Sequence, residues 1–256
     1  MPSHSPHDPA ATGVSLSMQP PTDSDYVPAL RFHWLTPYYD KVVPATTRER
    51  TVKHALIEQI DLAQAGQKVL DLACGSGTLA VWMAQQHPHT TITGVDGDPS
   101  IVEIARVKAH QAELAIQFDV ARSDCLPYAS DYFDKVASSL FFHHLSWVNK
   151  QRSAQEAFRV LKPGAELHIA DWGRPANRLM RGLFVFIQLL DGFSNTRDNV
   201  AGRLIELLEG AGFIEVSQTQ AFPTVFGTLA LYRARKPPGH SKLGLESGPD
   251  FTPKPR

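Results

Sequence analysis

The sequence predicts an α/β fold of the doubly wound, Rossmann-like class: a mainly parallel seven-stranded sheet with helices on both faces and an antiparallel last strand. The first observation is that strand-like and helix-like segments alternate from about residue 66 onward, which is typical of parallel sheets covered by helices. The second is that only Phe-Pro separates the last two strand-like runs. A connection this short indicates an antiparallel pair.

Each element is predicted from its own residues. Runs of strand length, rich in β-branched and apolar residues, are QKVLDLA, TTITGVD, AIQFDVA, FDKVASSLFF, AELHIADW, FIEVSQTQA and TVFGTLALYRAR. Runs with helical spacing are TLAVWMAQQH, PSIVEIARVKAHQAE, WVNKQRSAQEAFRVL and NVAGRLIELLEGAG. Asp98 is the expected N-cap of the second helix, because Pro99 follows at the first helical position. Lys-Pro-Gly is expected to close the third helix and a glycine the fourth.

The folded part is expected to be one domain with two tails. The chain has 256 residues, of which 43% are hydrophobic, which is enough to form the hydrophobic core of one domain. Residues 1–25 and 236–256 are rich in proline and polar residues, so we expect both to be disordered. The predicted domain occupies residues 26–235.

Composition narrows the expected partners and location. The formal net charge is -1 and the pI is about 6.8, so neither nucleic acid nor an anionic membrane surface is an expected partner. The separated Cys74 and Cys125 predict neither a disulfide framework nor a metal site, and they favour a reducing, cytoplasmic setting. The first residues lack the features of a signal peptide, and no run of about 18 apolar residues predicts an integral membrane helix.

Polar residues and glycines follow five successive predicted strands. The segments are ACGSG, VDGD, RSDCLPY, FFHHL and ADWGRP. Ligands of open parallel sheets bind outside the carboxyl ends of the strands. These segments are therefore the predicted functional site.

The glycine loop and Asp96 are predicted to bind a nucleoside-containing cofactor. Gly75 and Gly77 allow a tight turn and a close backbone approach, and the next helix offers free N–H groups. Asp96 lies roughly 20 residues further on, a spacing that suits a carboxylate binding two ribose hydroxyls. The alternatives are a plain tight turn and a turn or N-cap acid.

Asp71 decides between two cofactor classes. The residues from Gly75 to Ala80 also match G-x-G-x-x-A, a dinucleotide pattern. However, an acid in the strand before the loop repels a pyrophosphate and suits a cation. We therefore expect Asp71 to face the amino-acid end of S-adenosylmethionine, directly or through water and loop amides. The alternative is that Asp71 only braces the glycine loop.

The segment SDCLPYASDYFD supplies groups for adenine. Asp124 could accept from the N6 amine, the Cys125 amide could donate to a ring nitrogen, and Leu126 could cover the base. The alternative for Asp124 is a loop cap.

Taken together, the chain resembles class I S-adenosylmethionine-dependent methyltransferases, in the group that includes the ubiquinone/menaquinone biosynthesis methyltransferases. The matching segments, VLDLACGSGTLA, GVDGDPSIVEIAR, SDCLPYASDYFDKVASSL and EAFRVLKPGAELHIADW, fall within residues 35–235. One departure is Ala73, where the family commonly has glycine; we expect no loss of cofactor binding from so small a residue. The cofactor site that the resemblance implies comprises Tyr39, Asp71, Ala73, Cys74, Gly75, Ser76, Gly77, Asp96, Gly97, Asp124, Cys125 and Leu126.

Two further segments are expected to surround the acceptor. WLTPYYDKVV resembles the family's N-terminal helical cover, placed at residues 26–65, with Tyr39 or else Tyr38 over the cofactor; packing of the helix is the alternative role. Residues 174–196 carry a broad apolar helical stripe that includes Phe184. It is expected to form a lid over an apolar substrate or a homodimer contact, or to be an ordinary buried helix.

His143 and His144 are the candidate general bases, because imidazole titrates near neutral pH. Their alternative role is to orient loops or line the pocket. Asp171 and Trp172 are candidate substrate contacts, with a helix-capping acid and a core indole as alternatives.

The expected function is methyl transfer from S-adenosylmethionine to a small-molecule acceptor, with an apolar or aromatic compound as the narrower expectation. A nicotinamide-dependent oxidoreductase and a catalytically inactive methyltransferase-like binding module are the two alternatives.

Overall fold

The computed structural model describes residues 48–174, 198, 201–224 and 227–239. The N-terminal tail, Tyr39, Phe184 and nearly all of the C-terminal tail lie outside the described residues, as does the 174–196 segment beyond its first residue. Predictions about them stay predictions.

Seven strands form one sheet in the order β3-β2-β1-β4-β5-β7-β6. Neighbouring strands from β3 to β5 pair in parallel, whereas β7 pairs antiparallel with both β5 and β6. This confirms the predicted sheet and its antiparallel last strand. The strands are β1 Lys68–Leu72, β2 Thr91–Asp96, β3 Gln117–Val120, β4 Phe133–Ser139, β5 Leu161–Trp172, β6 Ile214–Pro223 and β7 Thr228–Arg235.

Side chains cap the N-termini of two helices. The Asp98 carboxylate accepts from the Ser100 amide at 2.8 Å, with Pro99 at the first helical position, so the predicted N-cap is confirmed. Ser146 caps the helix that follows β4. The described helices are α1 Glu49–Ile60, α2 Thr78–Gln86, α3 Pro99–Gln111, α4 Trp147–Val160 and α5 Leu204–Gly210, with a 3₁₀ turn at Phe142–His144.

The helices cover both faces of the sheet. Helices α1, α2 and α3 pack in one apolar cluster, and α4 and α5 pack in another. Strand β1 shows the alternation that separates them, since Val69 belongs to the first cluster while Leu70 and Leu72 belong to the second. By the same alternation, Asp71 points toward the layer of α1, α2 and α3.

Three boundaries differ from the predictions. Strand β5 begins at Leu161, before the predicted AELHIADW, because Leu161 pairs with Phe133; extra residues then bulge out of β5 before Glu166 pairs with Lys135. Helix α5 begins only at Leu204, since Gly202 takes a left-handed φ of 75° that a helix does not tolerate. Strand β6 runs through Pro223, so the final connection follows the predicted Phe-Pro turn instead of consisting of it.

The order of the strands positions the site. Strands β2 and β3 lie on one side of β1, and β4 and β5 lie on the other. Ligands bind at this reversal, outside the carboxyl ends. Within the described ranges, we find no helix long and apolar enough to cross a bilayer.

Candidate functional site

The loop between β1 and α2 is built from left-handed backbone. Ala73, Gly75 and Gly77 have φ values of 57°, 51° and 73°. The Cys74 amide donates to the Val95 carbonyl at 3.0 Å and fastens the loop to β2. A Cβ added to Gly77 would lie 2.8 Å from the Ala105 Cβ, so only glycine allows α3 to approach this closely.

Asp96 ties this loop to the end of β2. Its Oδ2 accepts from the Gly75 amide at 2.9 Å, and its Oδ1 accepts from the Asp98 amide at 3.1 Å. Each carboxylate oxygen has a second lone pair. The side chain can therefore hold both backbone segments and still accept from ligand hydroxyls. Gly97, beside it, is exposed.

Asp71 is buried, with 1% of its surface exposed. Its Oδ2 accepts from the Ala80 amide at 3.1 Å, one of the N–H groups that the first turn of α2 leaves unpaired. Burial raises the pKa of Asp71 to about 7, against the attraction of Lys53. A brace is thus present, as the alternative interpretation proposed, although the bond reaches the helix rather than the loop.

Lys108 is a site residue that sequence reasoning missed. From α3 its Nζ donates to Ser76 Oγ at 2.9 Å and to Thr78 Oγ1 at 2.8 Å, on either side of Gly77. Desolvation lowers the pKa of Lys108. The available signal was its position one helical turn after Ala105, but that signal has meaning only once the α2–α3 packing is known.

The predicted adenine segment is a compact turn. Arg122 donates to both oxygens of Asp124, each at 2.9 Å, and this bond holds the pKa of Asp124 below its usual range. Asp124 is therefore an ionised acceptor at neutral pH. The Cys125 amide donates to the Arg122 carbonyl at 3.1 Å, so a ring nitrogen would compete with this bond. Leu126 is buried.

His143 and Asp171 form a buried pair. The Nδ1 of His143 lies 2.6 Å from Oδ1 of Asp171, and the His143 amide donates to Oδ2 at 3.2 Å. Burial opposes ionisation of Asp171, but the neighbouring His143 keeps the net pKa below its usual value. An ionised carboxylate can only accept, so Nδ1 of His143 carries a proton directed at Asp171.

Two aromatic residues, His144 and Trp172, lie next to the His143–Asp171 pair. The ring centroids of His144 and His143 are 3.9 Å apart, and desolvation lowers the pKa of His144 to about 3. Trp172 is a core residue, 3% exposed, as its alternative interpretation proposed. Asp171 also accepts from the Trp172 amide at 2.7 Å, so its oxygens face protein groups. Its role as a direct substrate contact stays a prediction.

The sheet therefore brings the segments after β1, β2, β3, β4 and β5 to one edge, as predicted. No group of three or more His, Cys, Asp or Glu side chains suited to a metal occurs in the part of the chain that the structure describes.

Known proteins share this arrangement. A family model described as a methyltransferase domain matches residues 69–164, the range from β1 to the start of β5. The methyltransferase sll0829 of Synechocystis sp. is 32% identical over 157 residues, covering 59% of this chain and 68% of that protein. The chain belongs to the methyltransferase-domain family. The resemblance stated from its motifs is confirmed.

Other comparisons agree with this assignment. The ubiquinone/menaquinone biosynthesis C-methyltransferase UbiE of Syntrophotalea carbinolica is 32% identical over 136 residues, covering 53% of this chain and 56% of that protein. The apo structure of the S-adenosylmethionine-dependent methyltransferase SibL shares the fold, with a TM-score of 0.63 at 21% identity over 74% of this chain and 55% of that one. The chain spans about half the length of several curated relatives, 49% of one and 50% of another.

Proposed function

We propose that this methyltransferase-family protein transfers a methyl group from S-adenosylmethionine to a small-molecule acceptor. One observation carries the proposal: Asp71, Asp96 and Asp124 lie in or just after β1, β2 and β3, which are adjacent in the sheet. This order suits a ligand laid across the strand ends, with an amino-acid part at β1, a ribose at β2 and an adenine at β3.

The residues fit such a ligand. A Cβ added to Gly75 or Gly97 would come no closer than 3.9 Å to its nearest neighbour, so the backbone is open to a ligand at both points. The ionised Asp124 is an acceptor for an amine, and Asp71 is an acid suited to a cation. When bound, the sulfonium of S-adenosylmethionine supplies an activated methyl group. The protein's own task is to align the acceptor and exclude water.

The His143–Asp171 pair supports an acceptor that arrives protonated, such as a hydroxyl or an amine. Nε2 of His143 takes the proton while Asp171 orients the ring and stabilises the resulting imidazolium. Burial lowers the pKa of His144 to about 3, so it is a weaker base than an ordinary imidazole and stays neutral. An apolar or aromatic acceptor is supported by the quinone-biosynthesis names of several relatives. A cytoplasmic location fits the two unpaired cysteines.

Calorimetric titration tests the cofactor. The protein is titrated with S-adenosylmethionine, S-adenosylhomocysteine and NAD, beside an Asp96→Ala variant. We expect both adenosyl ligands to bind the wild-type protein, the variant to bind them about 10-fold or more weakly, and NAD to give no heat. Binding of NAD alone would favour the nicotinamide-dependent oxidoreductase. No binding of any of the three would favour an inactive binding module.

An acceptor screen then tests the base. With an active acceptor and saturating cofactor, His143→Ala should lower the turnover rate about 100-fold or more. His89→Ala, which changes an exposed histidine outside the site, is the control. An unchanged rate in His143→Ala would remove the base role and leave the cofactor assignment standing.

A further inference from the structure

Two residues of α4 hold the predicted adenine segment by its backbone. Glu156 Oε2 accepts from the Leu126 amide at 2.7 Å. Arg159 donates to the Leu126 carbonyl at 3.1 Å and to the Tyr128 carbonyl at 2.7 Å. Both backbone polar groups of Leu126 are thus bound by one helix, about 30 residues later in the chain.

Glu156 and Arg159 are also fixed to each other. Arg159 Nε lies 2.7 Å from Glu156 Oε1, and Nη2 lies 2.8 Å from Oε2, one helical turn apart. Hydrogen bonding to Arg159 lowers the pKa of Glu156, and that to Glu156 raises the pKa of Arg159, so both stay ionised. A planar guanidinium held bidentately is a rigid donor for the two carbonyls.

A different residue binds the carbonyls at the end of α4. Lys236 Nζ donates to the carbonyls of Phe158 and Leu161 at 2.8 Å and 2.7 Å, at the carboxyl end of that helix. A second anchor, between the hydroxyls of Ser123 and Ser153 at 2.8 Å, holds the start of the segment. Asp124 lies between the two anchors.

We infer that Glu156 and Arg159 are positioning residues that fix the 124–128 segment in the shape that selects adenine, an inference that rests on the proposed function. The carboxylate of Asp124 accepts from an N6 amine and repels a carbonyl oxygen at that position. This discrimination requires a carboxylate that cannot move away from the base. Arg122 holds the carboxylate itself, and the Glu156–Arg159 pair holds the backbone of the segment that carries it.

The test compares two ligands that differ on the edge of the base that faces Asp124, at position 6 and in the proton on N1. S-Adenosylhomocysteine carries the N6 amine, and S-inosylhomocysteine carries an oxygen in its place. By calorimetry the wild-type protein should bind the adenosyl ligand roughly 10-fold to 100-fold more tightly, the range expected for a hydrogen bond to a charged group. In Arg159→Met that ratio should fall to about threefold or less, with weaker binding of the adenosyl ligand.

Three variants separate positioning from stability. Glu206→Gln is the control, because it weakens an ion pair of the same spacing, Arg203–Glu206 at the start of α5, away from the segment. Its ratio should equal that of the wild type. Arg159→Lys keeps the charge but cannot reach all the acceptors of the guanidinium, so its ratio should be intermediate. It also keeps the test open if Arg159→Met does not fold.

The outcomes are distinct. A folded Arg159→Met or Arg159→Lys variant with the wild-type ratio of adenosyl to inosyl affinity would overturn the inference. A variant that binds both ligands more weakly by the same factor would also overturn it. A wild-type protein that binds the two ligands equally would overturn the inference while leaving the cofactor assignment intact. A wild-type protein that binds neither ligand would overturn the proposed function and this inference together.

Discussion

The Asp96 carboxylate accepts a hydrogen bond from the Gly75 amide at 2.9 Å, across 21 residues of sequence. The acid proposed to bind the ribose therefore also shapes the glycine loop of the neighbouring strand. Loss of this side chain should affect the ligand site and the folded protein together, and the two effects can be separated by choosing the replacement.

Asp96→Ala and Asp96→Asn should differ in stability more than in cofactor binding. Alanine leaves the Gly75 and Asp98 amides without their acceptor, and should lower the free energy of unfolding by about 1–3 kcal/mol. Asparagine keeps one acceptor oxygen and should cost less. Both variants should bind S-adenosylhomocysteine about 10-fold or more weakly, because a charged acceptor is lost. Denaturant unfolding and calorimetry measure the two effects. Asp61→Asn, at an exposed acid, is the control, and an Asp96→Ala variant of wild-type stability would contradict the loop role.

Gly77→Ala should be more destabilising than Gly66→Ala. The two glycines have φ values of 73° and 79°, so both variants bear the cost of about 1–2 kcal/mol for a left-handed alanine. The added Cβ at Gly77 lies 2.8 Å from Ala105 and 3.0 Å from the Phe118 ring, whereas at Gly66 it meets nothing within 4 Å. Overpacking should add about 1–3 kcal/mol at Gly77 alone. Equal unfolding free energies for the two variants would show that α3 moves away from Gly77 at little energetic cost.

Ala73→Gly should stabilise the protein. Ala73 has a φ of 57°, a conformation that costs an alanine about 1–2 kcal/mol and a glycine little. Part of that gain is offset by the greater backbone entropy of glycine in the unfolded chain, so a net gain of about 0.5–1 kcal/mol is expected. Ala115→Gly is the control, since Ala115 is exposed and has no positive φ; it should be destabilising. A destabilised Ala73→Gly variant would show that the methyl group makes a contact worth more than the strain.

Local signals predicted much of the fold. Asp98 and Pro99 marked the start of α3 because capping depends on adjacent residues. The acids and glycines after successive strands predicted the edge at which the site lies, since parallel strands share one carboxyl edge. Gly202 shows the limit, because a glycine within a helical pattern either is tolerated or ends the helix, and the pattern alone does not decide between them.

Contacts between elements that lie far apart in the sequence could not be predicted from it. Lys108 reaches Ser76 from 32 residues away, and Glu156 reaches Leu126 from 30 residues away. Such pairs depend on how helices pack against loops, which hydrophobic periodicity does not report. The acid at Asp71 is unusual for a buried strand, but its two interpretations, a brace and a contact to the cofactor, both require a buried carboxylate. Only its contacts and its titration distinguish them.

The pKa of Asp71 gives stability a defined dependence on pH. It is about 7 in the folded protein against an ordinary value of 3.8, with burial as the main cause. Between these values the folded state binds more protons than the unfolded state. Stability therefore falls as pH rises from about 4 to about 7, and this contribution is constant above that range.

Asp71→Asn should remove that dependence and reveal what the acid is for. The amide oxygen of asparagine can still accept from Ala80, while no charge is buried. The variant should gain about 2–3 kcal/mol over the wild type between pH 5 and pH 8, at about 1.4 kcal/mol per pH unit within the titration range. Denaturant unfolding across this range measures the difference. If Asp71 serves the amino-acid end of the cofactor, the same variant binds S-adenosylhomocysteine about 10-fold or more weakly at pH 8. Parallel stability curves would contradict the buried charge. A stabilised variant with undiminished affinity would leave Asp71 as a brace alone.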